Sequence, residues 1–187
     1  MAISPFLQKL LFVNQFSIDK GEISLLGDPH IMLNAESIAV LQSIDKEKTY
    51  SEAKKSSKAN LSKFVGHAEV YKGLKDQELK TIAELSKKIG KTDEGTIKTL
   101  QTIFEIYGLG TLQIIDLNNK DKKAVLRISN STLAKMQLKK AKSKTPVCSL
   151  TAGILAGIFS YIFGKDVDCV EKSCIAKNDE YCNFEIA

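Results

Sequence analysis

Alternating apolar and polar residues predict three β-hairpins along the chain. The predicted strand pairs are 12–19 with 22–33, 111–117 with 124–129, and 166–176 with 180–187. Glycine, asparagine or aspartate stands at each turn, for example Lys20-Gly21 in the first hairpin. In the second strand of that hairpin, Gly27-Asp28-Pro29 marks an interruption, and residues 31–33 are expected to continue the strand beyond a bulge. The pattern therefore predicts antiparallel strands.

Between the hairpins, apolar residues recur at intervals of three and four, which predicts helices. The predicted helices are 34–44, 46–68, 76–89, 93–107, a helix that begins at 132, and 149–163. Strand pairs with short turns and grouped helices favour an α+β fold in which an antiparallel sheet carries helices packed on it. At 187 residues, the chain is expected to form a single domain, 1–187, with a metal-binding motif in residues 148–187.

Two predicted helices carry small residues at close intervals. Ala152-Gly153 and Ala156-Gly157 lie four residues apart on the most apolar helix, and Ser56, Ser57 and Ala59 lie on the helix 46–68. Small side chains let two backbones approach closely. We therefore expect a helix, a sheet or a ligand to pack tightly at these positions.

The composition excludes several classes of protein. Of the 27 basic residues only Arg127 is arginine, so direct sequence-specific nucleic-acid binding is not expected, because base readers depend on the bidentate guanidinium. The N-terminal residues do not resemble a secretory signal, which favours a cytoplasmic protein. The longest apolar run, residues 150–163, is shorter than the roughly 20 residues of a membrane span. There is also no defensible catalytic triad, phosphate loop or dinucleotide fingerprint.

All four cysteines lie in residues 148–187, and in a reducing compartment such a cluster favours metal ligands over disulfides. Cys174 and Cys182 are brought together by the last hairpin, and Cys148 begins the helix before it. For a fourth ligand, strand alternation leaves Cys169 and Glu171 as equal candidates, because they share one face. The residues alone therefore predict a tetrahedral site with three thiolates and either sulfur or oxygen as the fourth donor.

The C-terminal residues also resemble a known family. The positions that carry the resemblance are Cys148, residues 152–157, residues 171–174, Asn178-Asp179 and residues 182–184. This spaced pattern resembles the 4-vinyl reductase domain, a small-molecule-binding module related in fold to a vesicle-tethering-complex subunit and to haem-based nitric oxide sensors. The element order agrees with that fold over most of the remaining chain.

The resemblance implies a particular set of zinc ligands. In aromatic-compound sensors with this domain, three cysteines and a glutamate hold zinc, and the matching positions are Cys148, Glu171, Cys174 and Cys182. Cys169 lies outside that set and is expected to be a core thiol. Four protein ligands leave no position for substrate, so the metal is expected to be structural. Lys172 or Lys177 and backbone N–H groups are expected to offset its negative charge.

The resemblance also implies a ligand cavity between the sheet and the helices. Candidate lining residues from the apolar stripes are Phe64, Phe104, Tyr107, Ile154 and Phe159. Phenol sensors of this family use a histidine and a tryptophan for their ligand, whereas this chain has no tryptophan and only His30 and His67. Phenol itself is therefore not the expected ligand, and a lone histidine such as His67 is more typical of an exposed or capping position.

These observations predict a regulatory or sensor module that binds a hydrophobic small molecule, contains structural zinc, forms a homodimer and acts through a partner protein. Two alternatives remain open at this stage. One is an enzyme or accessory factor that reduces a tetrapyrrole vinyl group, although the sequence shows no site for a hydride donor and no catalytic residue. The other is a dimeric scaffold, by analogy with the tethering-complex subunit.

Overall fold

The computed structural model describes residues 16–25, 28–66, 100–101, 104–105 and 107–187, and the chain divides into two compact units. The first unit, Met1–Asn34, contains a three-stranded antiparallel sheet in the order β1-β2-β3. Its strands are β1 (Phe16–Asp19), β2 (Glu22–Leu25) and β3 (Asp28–His30). The turn predicted at Lys20-Gly21 is confirmed, since both residues have positive φ, 49° and 84°.

The expected continuation of β2 through residues 31–33 is wrong. The chain reverses direction after β2, so that Asp28–His30 pairs antiparallel with β2 as a separate strand, and residues 31–33 form no regular structure. Pro29 has no N–H to donate, which restricts it to positions where a ladder hydrogen bond is not required.

The second unit, Ala35–Ala187, contains the remaining elements. Its described helices are α1 (Ala35–Ile44), α2 (Lys46–Gly66), α3 (Thr132–Lys140) and α4 (Ser149–Phe163). Its strands are β4 (Thr111–Asn118), β5 (Lys123–Ser129), β6 (Cys169–Ser173) and β7 (Cys182–Ile186), with a 3₁₀ turn at Ile175–Lys177. The predicted helix 76–89 and most of 93–107 lie outside the described residues. The single domain 1–187 remains a prediction.

The four strands of the second unit form one antiparallel sheet in the order β4-β5-β7-β6, which confirms the last two predicted hairpins and the α+β class. The register pairs Leu126 with Phe184 and Ile128 with Cys182. These side chains are fully buried and belong to the same core cluster as the apolar helix α4, so the core lies between this sheet face and the helices.

Helices α2 and α4 are in direct backbone contact. A Cβ added to Gly153 would lie 2.8 Å from the Ala53 Cβ and against the Tyr50 carbonyl oxygen. A Cβ added to Gly157 would lie 2.9 Å from the Ser57 Cβ and against the Lys54 carbonyl oxygen. The close approach predicted from the small residues is therefore confirmed as helix-on-helix packing.

The single arginine lies on the other face of the sheet, in β5. The Arg127 guanidinium carbon is 4.5 Å from the centre of the Tyr181 ring, and Nε donates to Asn183 Oδ1 at 3.2 Å. Asn183 Nδ2 in turn donates to Ser173 Oγ at 2.6 Å. The arginine thereby belongs to a polar row that links β5, β7 and β6.

No described helix combines the length and the apolar character required to cross a lipid bilayer.

Candidate metal site

The four predicted ligands lie on three elements of the second unit and on the link between two of them. Cys148 is the N-cap of α4, and Glu171 lies in the middle of β6. Cys174 follows β6 and caps the 3₁₀ turn, whereas Cys182 is the first residue of β7. Because β6 and β7 pair with each other and α4 packs against the sheet, the four side chains converge at one point.

The geometry of the three sulfurs fits a tetrahedral metal ion. The Cys148, Cys174 and Cys182 Sγ atoms are 3.9 Å apart in every pair, and all four donor atoms lie within 4.8 Å of one another. A tetrahedral ion with metal–sulfur bonds of about 2.3 Å separates its sulfurs by about 3.8 Å. The three cysteines are free thiols and at most 1% exposed, so the cluster is closed to solvent.

Glu171 is oriented as a fourth donor. Its Oε2 accepts the Cys148 backbone N–H at 2.8 Å, whereas its Oε1 is buried and has no hydrogen-bond partner. A buried carboxylate oxygen without a donor is costly unless a cation neutralises it. The unpaired Oε1 therefore fits a metal bond through one oxygen.

Cys169, the alternative fourth ligand, lies outside this cluster of four donors. It is buried two residues earlier in β6, where it pairs with Ile186, and its backbone N–H donates to the Tyr50 hydroxyl at 2.9 Å. Burial raises the pKa of the Cys169 thiol well above its ordinary value, which makes it a neutral core side chain. Of the two candidates on this strand face, the structure brings Glu171 to the sulfurs.

Without a cation, the cluster shares its charge. Burial raises the pKa of Glu171 to about 8. Hydrogen bonds from the Cys148 and Cys182 thiols lower the pKa of Cys174, and the same bond to Cys174 raises the pKa of Cys148. Four anions cannot coexist in such a small buried volume, so a divalent ion would displace the protons and hold all four donors ionised.

Backbone N–H groups compensate part of the negative charge of the site. The Cys148 N–H binds Glu171, and the Ile175 N–H donates to Cys182 Sγ at 3.4 Å. Cys148 also stands at the positive N-terminal end of the α4 dipole. The role expected for the lysines differs, because Lys172 pairs with Glu185 at 3.1 Å and Lys177 with Asp179 at 3.5 Å.

One supporting residue was not found from the sequence. Gln42 is 4% exposed on α1, and its Oε1 accepts the Leu150 N–H at 3.4 Å, in the first turn of α4. A single buried polar residue beside exposed Leu41 and Val40 gives no periodic signal, because its partner lies 108 residues away.

The candidate cavity residues separate into distinct environments. Phe104 and Phe159 are fully buried in one core cluster, and Ile154 is half-buried against it. Tyr107 is 50% exposed. The Phe64 side chain and His67 lie outside what the structure describes.

Comparisons with known sequences agree with the resemblance predicted from the C-terminal residues. Residues 126–187 match the family model of the 4-vinyl reductase domain. An uncharacterized protein of Methanocaldococcus jannaschii is 29% identical over 87 residues, which are 46% of this chain. The matched region spans 44% of that relative, less than half of its length.

Solved structures extend the comparison to the fold. The phenol-responsive sensory domain of the transcription activator PoxR, crystallised with phenol, superposes with a TM-score of 0.62, covering 98% of this chain and 90% of that one at 17% identity. A vinyl-4-reductase family protein from Methanocaldococcus jannaschii covers 69% of this chain and 92% of its own, with a TM-score of 0.41 and 21% identity. The resemblance expected from the sequence is confirmed by the family match, and residues 126–187 of this chain belong to the 4-vinyl reductase domain family.

Proposed function

We propose that this chain is a cytoplasmic sensory module that binds a hydrophobic small molecule, contains one structural zinc ion and acts through a partner protein. The observation that carries the proposal is the closed donor cluster of Cys148, Glu171, Cys174 and Cys182. Because the protein supplies all four donors, the metal has no open position for a reactant. The functional chemistry is then a binding event elsewhere in the core.

Zinc is the ion that the donor set favours. Three sulfurs at the spacing of a tetrahedron, with one carboxylate oxygen, suit a borderline-soft ion without redox chemistry, and structural zinc is held in this way. The bound ion would join the start of α4 to β6 and β7. Its contribution is therefore to the stability and orientation of these elements.

The similarity to the sensory domain of PoxR supports the binding role, because that domain has the same fold over nearly the whole chain. The ligand would lie between the sheet and the helices, beside Phe104, Ile154 and Phe159. With no tryptophan in the chain, the proposal names a hydrophobic small molecule as the class and leaves phenol aside. Pairing of two copies through helices completes the proposed module.

Native mass spectrometry of protein purified without added metal tests the metal and the assembly together. About one zinc per chain and a mass of two chains are expected. A C148S/C174S variant removes two donors and is expected to lose the metal. A wild-type protein with less than about a tenth of an equivalent of metal would refute the structural zinc site.

The ligand is tested by thermal shift with a panel of small aromatic and aliphatic compounds, using two matched variants of α4. Ile154→Trp places bulk at the proposed cavity, and Ile162→Trp places the same bulk at another half-buried position of the helix. Stabilisation of the wild type and of I162W, but not of I154W, is expected. Equal responses in all three proteins would contradict a cavity beside Ile154.

A further inference from the structure

The link between Cys174 and Cys182 is short and strongly bent. Cys174 leads into the 3₁₀ turn Ile175–Lys177, and Asn178 then adopts a left-handed conformation with φ 75° before the chain returns to β7. Both ends of this link carry a sulfur of the metal cluster, and these sulfurs are 3.9 Å apart. The conformation of the link therefore determines whether the two donors meet.

Asp179 holds the first of these cysteines by its backbone. Its Oδ2 accepts the Cys174 N–H at 2.8 Å, and its own N–H donates to the Cys174 carbonyl at 3.3 Å. The Lys177 N–H donates to the same carbonyl at 2.8 Å. Both polar backbone groups of Cys174 are thus bound from within the link, and the carboxylate supplies the one side-chain contact.

The Asp179 carboxylate is itself fixed in place. Lys177 Nζ lies 3.5 Å from the same Oδ2 atom. The aspartate therefore closes a ring that runs from Cys174 through the turn and back to the Cys174 N–H. Its atoms contact a ligand residue without belonging to the four donors that surround the ion.

We propose that Asp179 is a positioning residue of the metal site: its carboxylate fixes the Cys174 backbone so that Sγ keeps its place in the triangle with Cys148 and Cys182. This inference rests on the proposed metal site. Groups that orient metal ligands typically change metal affinity by about 10- to 100-fold when they are removed. The geometry requires a hydrogen-bond acceptor at the length of the aspartate side chain, and not merely a negative charge.

Two conservative variants separate these possibilities. Asp179→Asn keeps an oxygen acceptor at the same distance and removes the charge, whereas Asp179→Glu keeps the charge and displaces the acceptor by one methylene group. Asp179→Ala removes both. A matched control is Asp121→Ala, since Asp121 closes the β4–β5 turn through hydrogen bonds with Asn118 at 2.8 and 3.0 Å, away from the metal ligands.

The measurements are zinc affinity by competition with a chromophoric chelator and the visible spectrum of the cobalt(II)-substituted protein. We expect about 10- to 100-fold weaker zinc binding for D179A and D179E, with altered cobalt bands. D179N and D121A are expected to retain wild-type affinity and spectrum. Circular dichroism of each variant with metal checks the fold, and D179N and D179E still decide the question if D179A does not fold.

Two results would overturn the inference. If D179E and D179A bind zinc as tightly as the wild type, the carboxylate does not position Cys174. If D179N is as weak as D179A while D179E is normal, the charge matters and the hydrogen bond does not. A wild-type protein that binds neither zinc nor cobalt refutes instead the metal site on which the inference depends.

Discussion

At the scale of single residues, the site depends on how one carboxylate is divided. Glu171 uses Oε2 for the Cys148 N–H and keeps Oε1 unpaired beside three sulfurs. Cys169, two residues earlier on the same strand face, is directed to the core beside Ile186. Side-chain alternation places both residues on one face, but only Glu171 is close enough to the end of the strand where the sulfurs meet.

This division predicts opposite outcomes for two variants. Glu171→Gln removes the charge of the fourth donor, so we expect at least about tenfold weaker zinc binding, whereas Cys169→Ala is expected to keep one zinc per chain. Zinc content after dialysis against a metal buffer measures both. Loss of zinc in C169A with retention in E171Q would make Cys169 the fourth ligand.

A second residue-scale feature is the ion pair that joins α2 to the loop before β6. Lys54 Nζ lies 2.8 Å from Asp168 and 2.9 Å from Asp166, and the Tyr50 hydroxyl also donates to Asp168. The Lys54 hydrogen bonds lower the pKa of both aspartates. A lowered carboxyl pKa stabilises the fold above the unfolded pKa of about 4, and this contribution is lost as pH falls through the folded pKa.

We therefore expect Lys54→Met to lower the free energy of unfolding by about 0.5 to 1 kcal/mol at pH 7, because both aspartates are largely exposed and screened. Lys58, which also faces Asp166, remains in the variant. The difference from wild type should narrow below about pH 4. Urea unfolding at both pH values measures it, with the exposed Lys55→Met as control, and an undiminished difference in acid would contradict the ion-pair explanation.

At the scale of elements, α2 is held by the shape of α4 more than by apolar surface. Many α2 residues are polar and exposed, yet its backbone lies directly on Gly153 and Gly157. Glycine in a helix interior costs about 1 kcal/mol relative to alanine. Its presence at both positions is consistent with the close approach of the two helices.

This contact predicts the effect of one methyl group. Gly157→Ala gains about 1 kcal/mol of helix propensity, but its Cβ would meet the Lys54 carbonyl and lie 2.9 Å from Lys58 N. Because backbone atoms cannot move aside easily, we expect a net loss of about 1 to 3 kcal/mol. Thermal unfolding measures it, and an increase in stability would show that α2 does not press on α4 in solution.

At the scale of the whole second unit, the metal site joins segments that the sheet alone does not secure. The 3₁₀ turn, the start of α4 and the first residue of β7 meet at the cluster, whereas β4 and β5 contribute none of the four donors.

Removal of the metal should therefore act unevenly. We expect chelation to lower the melting temperature by several degrees or more, and to increase amide hydrogen exchange most in the start of α4, in β6 and in residues 174–182. The β4–β5 hairpin should retain most of its protection. Hydrogen exchange followed by mass spectrometry measures this, and uniform deprotection would argue that the ion stabilises the unit as a whole.

The sequence was sufficient for features that depend on local pattern. Hairpins at Lys20-Gly21 and at 118–123, the apolar helix α4 and the cysteines at 148, 174 and 182 all follow from alternation, periodicity and spacing. Contacts between distant segments could not be predicted in this way. Gln42 reaches Leu150, and Tyr50 reaches Asp168 across 118 residues, and neither pair leaves a periodic trace.

Arg127 has a practical consequence, because it is the one arginine of the sequence and lies in β5, between β4 and β7. A protease that cleaves only after arginine has a single target bond, Arg127–Ile128. Cleavage requires extraction of β5 from both neighbouring strands and removal of the guanidinium from the Tyr181 ring. Proteolysis at this bond therefore reports the opening of the four-stranded sheet as two fragments on a gel.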